Sequence, residues 1–308
     1  MKLVYNDITS LNAAWLEPWW AEHFDIVRWN PELTYNKKDT VIYADYRNPS
    51  WAEPFQQQGF RVIIDHLFDS YVDELTTQDQ NTLTLRARDW IWIEESQWFQ
   101  HLGYNRRPAE PQRQHLFLLL MNLKKPWRDH LYTATMPWHN ASLVSYRGRD
   151  KTISGDIDPA EGTWQRYFNP EWYDSTAFSV ASESTITERL WVSEKTFKPM
   201  AHGHAFVVWG SPGLLNYTHS LGFESWGHCI DQSYDSIVDA GQRLIAIHNV
   251  LSQLANQFNA GQDLFADARS REIIQHNFNH FYRADIIKNL FVQQIIQPVQ
   301  EFVHACYN

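Results

Sequence analysis

The chain has 308 residues, 44% hydrophobic and 20% charged, with a formal charge of −10. This composition excludes wholesale disorder and argues against a general basic surface for nucleic acid, while the length suits two α/β domains of roughly 150 residues each. Two cysteines, Cys229 and Cys306, make neither a disulfide framework nor a zinc site, which fits a reducing compartment.

Read in chain order, residues 2–5 form a short apolar start. The stretches 39–46 (DTVIYADY), 60–65 (FRVIID) and 89–93 (DWIWI) read as buried strands. Asn48-Pro49-Ser50 is a turn that opens a helix-sized stretch between the first two. Strands separated by helix-length segments predict a parallel sheet. Residues 103–114 (GYNRRPAEPQRQ), polar and proline-containing, read as an interdomain linker. A second strand–helix series follows: strand 116–121, a helix from 125 with Pro126 in its first turn, strand 142–146, a loop-rich stretch 150–176, strand 178–181, helix 193–202 and strand 205–209. Residues 236–259 and 281–305 carry apolar residues at helical spacing. No apolar run is long enough to span a bilayer, and the opening MKLVYNDITS lacks a signal core, so a cytoplasmic protein is expected. The 15 tryptophans serve cores and interfaces, or offer flat stacking surfaces for sugars or bases.

The segment 178–215 carries the most chemistry. Ser193 is placed to cap a helix, Glu194 lies in its first turn, and Lys198 is four residues further on the same face, with Lys195 one step round. A helix N-terminus flanked by lysines suits a diphosphate, and a nearby carboxylate can accept both hydroxyls of a ribose. The same Glu–Lys spacing is also common on plain exposed helices.

This stretch resembles the donor-nucleotide motif of GT-B glycosyltransferases, particularly fucosyltransferase-like families. In these a Ser/Thr-Glu-Lys triplet opens a helix that leads to an apolar strand ending in glycine. Ser193-Glu194-Lys195 matches the triplet, and Phe206-Val207-Val208-Trp209-Gly210 the strand. The wider run to residue 235 is similar to a phage and bacterial branch of glycosyltransferase-like proteins. Residues 117–128 (FLLLMNLKKPWR) look like the strand, basic loop and Arg-bearing helix that open the donor domain, and Glu183 matches an acidic position before the triplet.

The resemblance covers about residues 115–245. It implies an α/β, GT-B-like fold of two Rossmann-like domains facing each other across a cleft. The acceptor-side domain would span 1–110, the donor domain 111–285, and a C-terminal helix 286–308. It implies an inverting, metal-independent glycosyltransferase with no cofactor, a nucleotide sugar serving as co-substrate. Glu194 would hold the ribose and Lys195 the diphosphate, with Ser193, Lys198 and Asn122 beside them. Arg128, with Lys124 or Lys125, would neutralise the leaving group, and Glu183 would face the sugar or base. The acceptor would be a glycan or a hydroxymethylated base in phage DNA, the latter reached through Arg106, Arg107 and Arg113.

A transferase of this kind needs a base for the acceptor hydroxyl, expected at the carboxyl end of an N-terminal strand. Asp65 and Asp45 are the preferred candidates among Asp45, Asp65, His66, Glu94 and Glu95. Asp156-Ile157-Asp158 is a literal DxD, but its flanks lack the apolar strand that such a metal motif follows, so it reads as a turn. His202 with His204 and His276 with His280 lack the further ligand a metal site needs. No metal site is expected. The alternative to catalysis is a nucleotide-sugar or glycan-binding module on a degenerate transferase scaffold.

Overall fold

The computed structural model describes residues 1–6, 16–45, 48–67, 71–73, 75–105, 113–153 and 169–305. Its contacts divide the chain into two units, Met1–His101 with Ala284–Asn308, and Leu102–Arg283.

The first unit is built on strands β1 (Lys2–Tyr5), β2 (Asp25–Arg28), β3 (Thr40–Asp45), β4 (Arg61–Asp65), β5 (Thr77–Gln78) and β6 (Thr82–Leu85), in the order β2-β1-β3-β4-β6-β5. Neighbours run parallel except β5, which is antiparallel to β6. All six residues of β3 are buried, as expected of a strand covered on both faces. Short helices α1 (Glu17–Ala21) and α2 (Glu53–Gln57) precede β2 and β4. The stretch 89–93 is not the strand its tryptophans and isoleucines suggest. It opens helix α3 (Trp90–His101), so Glu94 and Glu95 lie within a helix rather than at a strand end. A buried helix and a buried strand both read as apolar runs, and periodicity does not separate them.

The second unit contains β7 (His115–Met121), β8 (Leu143–Tyr146), β9 (Thr176–Ser182) and β10 (Phe206–Trp209), all parallel, in the order β10-β9-β7-β8. All seven residues of β9 and all four of β10 are buried. The intervening helices are α4 (Pro126–Thr135), α5 (Pro170–Asp174) and α6 (Glu194–Ala201), followed by α7 (Leu214–Ser220), α8 (Ala240–Asn259) and α9 (Ala268–Phe281). Asp239 caps α8 through Gln242 N–H at 2.7 Å, and Asp267 caps α9 through Ser270 N–H at 3.0 Å.

Residues 284–308 return to the first unit as α10 (Ala284–Phe291), a π-helical turn at Val292–Ile296, and α11 (Gln297–His304). Phe291 packs edge-on against Trp20 at 5.5 Å, and Gln294 Oε1 accepts Asp89 N–H at 3.1 Å. The Arg61 guanidinium lies 5.2 Å from the Phe302 ring centre and donates to the Phe302 carbonyl. The mixed α/β architecture with parallel sheets is thus the one the sequence led us to expect. Within each unit the first strand lies beside the third, with the second on its far side and the fourth beyond the third.

Candidate functional site

In an open parallel sheet, ligands sit outside the carboxyl ends of the strands, where the strand order reverses and the connections leave in opposite directions. In the second unit that point lies between β7 and β9. A cavity open to solvent is found there. Strand residues Leu118, Leu120 and Val180 and α5 residues Trp172 and Tyr173 give it apolar walls, while Asn122, Arg147, Glu194, Lys195 and Lys198 bring polar and charged groups.

α6 places the last three. Ser193 is extended (φ −128°, ψ −179°) and its hydroxyl accepts Lys195 N–H, which starts the helix directly after the loop from β9. Glu194 Oε1 meets Lys195 Nζ at 2.5 Å. Burial works to raise the Glu194 carboxyl, but Lys195 and Lys198 outweigh it and hold its pKa at about 2. Lys198 is 9% exposed and belongs to the cavity wall, not to the outer face of the helix.

The loop between β7 and α4 forms the neighbouring edge. Asn122 lines the cavity. Lys124 is exposed, and Gly148 packs directly beneath its backbone, where a Cβ would stand 2.7 Å from Lys124 N. Lys125 Nζ donates to Ser184 O at 2.9 Å and lies 4.9 Å from the Trp127 ring centre. Tyr146, at the end of β8, donates to Asp129 Oδ1 at 3.1 Å, and Arg149 Nε meets the same oxygen at 2.6 Å, which ties β8 to α4.

Arg128 lies behind the wall. It is 3% exposed and its Nη1 donates to Leu123 O at 3.1 Å. Burial lowers its pKa, partly offset by Glu194 and Glu183. Burial, then Arg128, then Lys195 lower that of Lys125. Three cations that crowd one another in a partly desolvated place favour an incoming anion.

Glu183, expected to face the sugar or base, is fully buried and absent from the cavity wall. Its oxygens accept from Ser184 N–H, Ser193 N–H, Ser193 Oγ and Thr196 Oγ1. A carboxylate this occupied holds protein, not ligand.

The sequence reading missed Arg147, Trp172 and Tyr173. Arg147 was legible as a cation directly after an apolar strand. The aromatic pair follows Asn169-Pro170, a helix-start signal, and Asn169 does accept Glu171 N–H at 3.0 Å.

Asp45 and Asp65 belong to the first unit. They are Cα partners at the carboxyl ends of β3 and β4, and both are buried. Asp65 accepts Tyr43 OH at 3.2 Å and Leu67 N–H at 2.9 Å.

Among the described residues no group of three or more His, Cys, Asp or Glu side chains could hold a metal. Asp156 and Asp158 lie outside the described residues, as do Arg106 and Arg107. His202, His276 and His280 bond to the protein itself. His276 and His280 meet the carbonyls of Gly222 and Leu221 at 2.8 and 2.7 Å, and His202 meets Asp174 Oδ1 at 3.0 Å. Arg113 pairs with Asp263 at 2.7 Å.

No family model matches the chain, and no curated protein matches it. The solved structure of an alpha1,3-fucosyltransferase aligns with a TM-score of 0.46 at 11% identity, over 94% of this chain and 91% of that one.

Proposed function

We propose that the second unit binds the nucleotide diphosphate of a nucleotide sugar, and that the protein transfers the sugar to an acceptor hydroxyl. The observation that carries this reading is the meeting of Lys195, Lys198, Arg147 and the start of α6 with an apolar, aromatic-walled cavity at the carboxyl edge of β7 and β9. The cations suit a diphosphate, the walls suit a base, and Glu194, held ionised, suits ribose hydroxyls. The resemblance of Ser193-Glu194-Lys195 to a donor motif supports the same assignment.

The chemistry is an in-line displacement with inversion. The acceptor hydroxyl loses its proton to a carboxylate as its oxygen bonds to the anomeric carbon. The bond from that carbon to the diphosphate breaks, and charge gathers on the departing diphosphate beside the lysines and Arg147. The sequence candidates for this carboxylate are Asp45 and Asp65, and no metal takes part in this proposal. The acceptor is a saccharide or a hydroxymethylated base. The second option loses one of its three supporting cations, because Arg113 is paired with Asp263.

The test is a thermal-shift and calorimetric screen against GDP-, UDP-, ADP-, CMP- and dTDP-sugars, then transfer assays with the sugar nucleotide that binds. One nucleotide class should bind and its sugar should be transferred. Failure of all five to bind would remove the donor reading. Binding without transfer or donor hydrolysis would point to a non-catalytic module.

A further inference from the structure

Glu183 is the first residue after β9, and its N–H donates to Trp209 O at 3.0 Å, so its backbone is fixed by the sheet. Gly210 leaves room for its side chain, since a Cβ there would stand 3.0 Å from Glu183 Cγ. Oε1 accepts Ser193 N–H at 3.1 Å and Thr196 Oγ1 at 2.5 Å; Oε2 accepts Ser184 N–H at 3.1 Å and Ser193 Oγ. The Ser193 hydroxyl therefore spends its proton on Glu183 and turns its lone pairs to Lys195, whose N–H and Nζ both lie 3.4 Å away. Lys195 Nζ also reaches Ser184 Oγ at 3.3 Å. Both hydroxyls that touch this ammonium thus belong to residues that Glu183 grips.

We infer that Glu183 is a positioning residue for Lys195: while Glu194 Oε1 pairs with the ammonium at 2.5 Å, Glu183 sets its place at the cavity wall through Ser184 and Ser193. The consequence for binding rests on the reading of Lys195 as a diphosphate ligand. A carboxylate is required, not just a polar side chain of that shape. Each oxygen accepts one backbone N–H and one hydroxyl. An amide would turn one of those positions into a donor facing a backbone N–H that cannot rotate away. Glu183→Gln therefore detaches either Ser184 or the start of α6.

The test begins with ligand-free protein. Acetic anhydride labelling of Lys195, followed by mass spectrometry with Lys288 as reference, should proceed several-fold faster in folded Glu183→Gln than in wild type. Ser184→Ala keeps the backbone donor to Glu183 and removes one hydroxyl from the ammonium, so it too should speed labelling, even if Glu183→Gln fails to fold. Unchanged labelling in a folded Glu183→Gln, or in Ser184→Ala, overturns the inference. With the nucleoside diphosphate found by screening, Glu183→Gln should weaken binding about tenfold, and add no further loss in a Lys195→Met background. Independent, additive losses overturn it as well. Faster labelling in a protein that binds no nucleoside diphosphate would uphold the positioning and remove the nucleotide reading.

Discussion

At the scale of single residues, the site separates side chains that touch the cavity from those that hold them. Glu194 and Lys195 are in the first group, and their side chains retain 17% and 22% exposure, so their replacement should leave the fold intact. Glu194→Ala and Lys195→Ala are each expected to weaken nucleotide binding about tenfold or more while the melting temperature changes little. Isothermal titration set beside thermal unfolding checks this, and wild-type affinity in either variant counts against the assignment. His204 is in the second group. Its Nε2 meets the Thr176 carbonyl at 2.9 Å and its Nδ1 the Ser179 hydroxyl at 2.9 Å, and burial pushes its pKa down to about 3. The unfolded chain takes up this proton at about pH 6.5. The folded chain refuses it until about 3. His204 therefore contributes stability that is complete above the unfolded value and is lost progressively as pH falls between the two. Urea midpoints at neutral and mildly acidic pH should differ more in wild type than in His204→Gln. An equal pH response in both proteins would contradict it. Glu194, Lys195 and Ser193 were legible because cap, acid and cation sit in consecutive positions. The burial of Glu183 was not, since a surface carboxylate and one wrapped by four donors look alike in a string of letters.

At the scale of elements, long apolar strands were readable and marginal ones were not. β3, β4 and β7 to β10 follow from runs of Val, Ile, Leu and Phe bounded by turn residues. β2, with two polar ends and only partly buried middle residues, and β6, four residues alternating Thr and Leu, were missed for want of an apolar signal. α9 escaped notice because its sequence, ARSREIIQHNFNHF, is largely polar, although its Asp267 cap is a recognisable start. The turn after β8 shows what an element boundary contributes to the site. Gly148 donates its N–H to Asn122 O at 2.8 Å and packs so closely that a Cβ would meet backbone atoms of Lys124. Gly148→Ala should push the 122–125 loop outward, costing about 1–3 kcal/mol of stability by overpacking and loosening nucleotide binding. Denaturant titration and affinity measured on one preparation check both. A variant as stable and as tightly binding as wild type would show that the loop yields freely.

At the scale of the whole molecule, two parallel sheets were foreseeable from alternating strands and helices, whereas their strand order, which is alike in the two, and the path of the chain between them were not. Local patterning says nothing about where a distant helix will dock. No described helix is long and apolar enough to cross a membrane. Activity, once a donor is found, should survive chelation, because Lys195, Lys198 and Arg147 are proposed to meet the charge that a cation would otherwise meet. Complete loss with EDTA, restored by manganese, would direct attention to Asp156 and Asp158. Removing residues 284–308 should strip the first unit of the partners of Trp20, Asp89 and Arg61 while leaving the second unit its sheet and cavity. Limited proteolysis should then digest the first hundred residues and spare 102–283, with nucleotide binding retained. A truncated chain that resists proteolysis throughout would show the closing helices to be dispensable. The same discontinuity has a consequence for biosynthesis. Domains ordinarily fold in the order in which they emerge from the ribosome. Here the first unit is discontinuous, joining the opening hundred residues to α10 and α11, while 102–283 forms one contiguous unit, so the second unit is expected to close first. The third of the chain translated earliest is thus expected to be the part completed last.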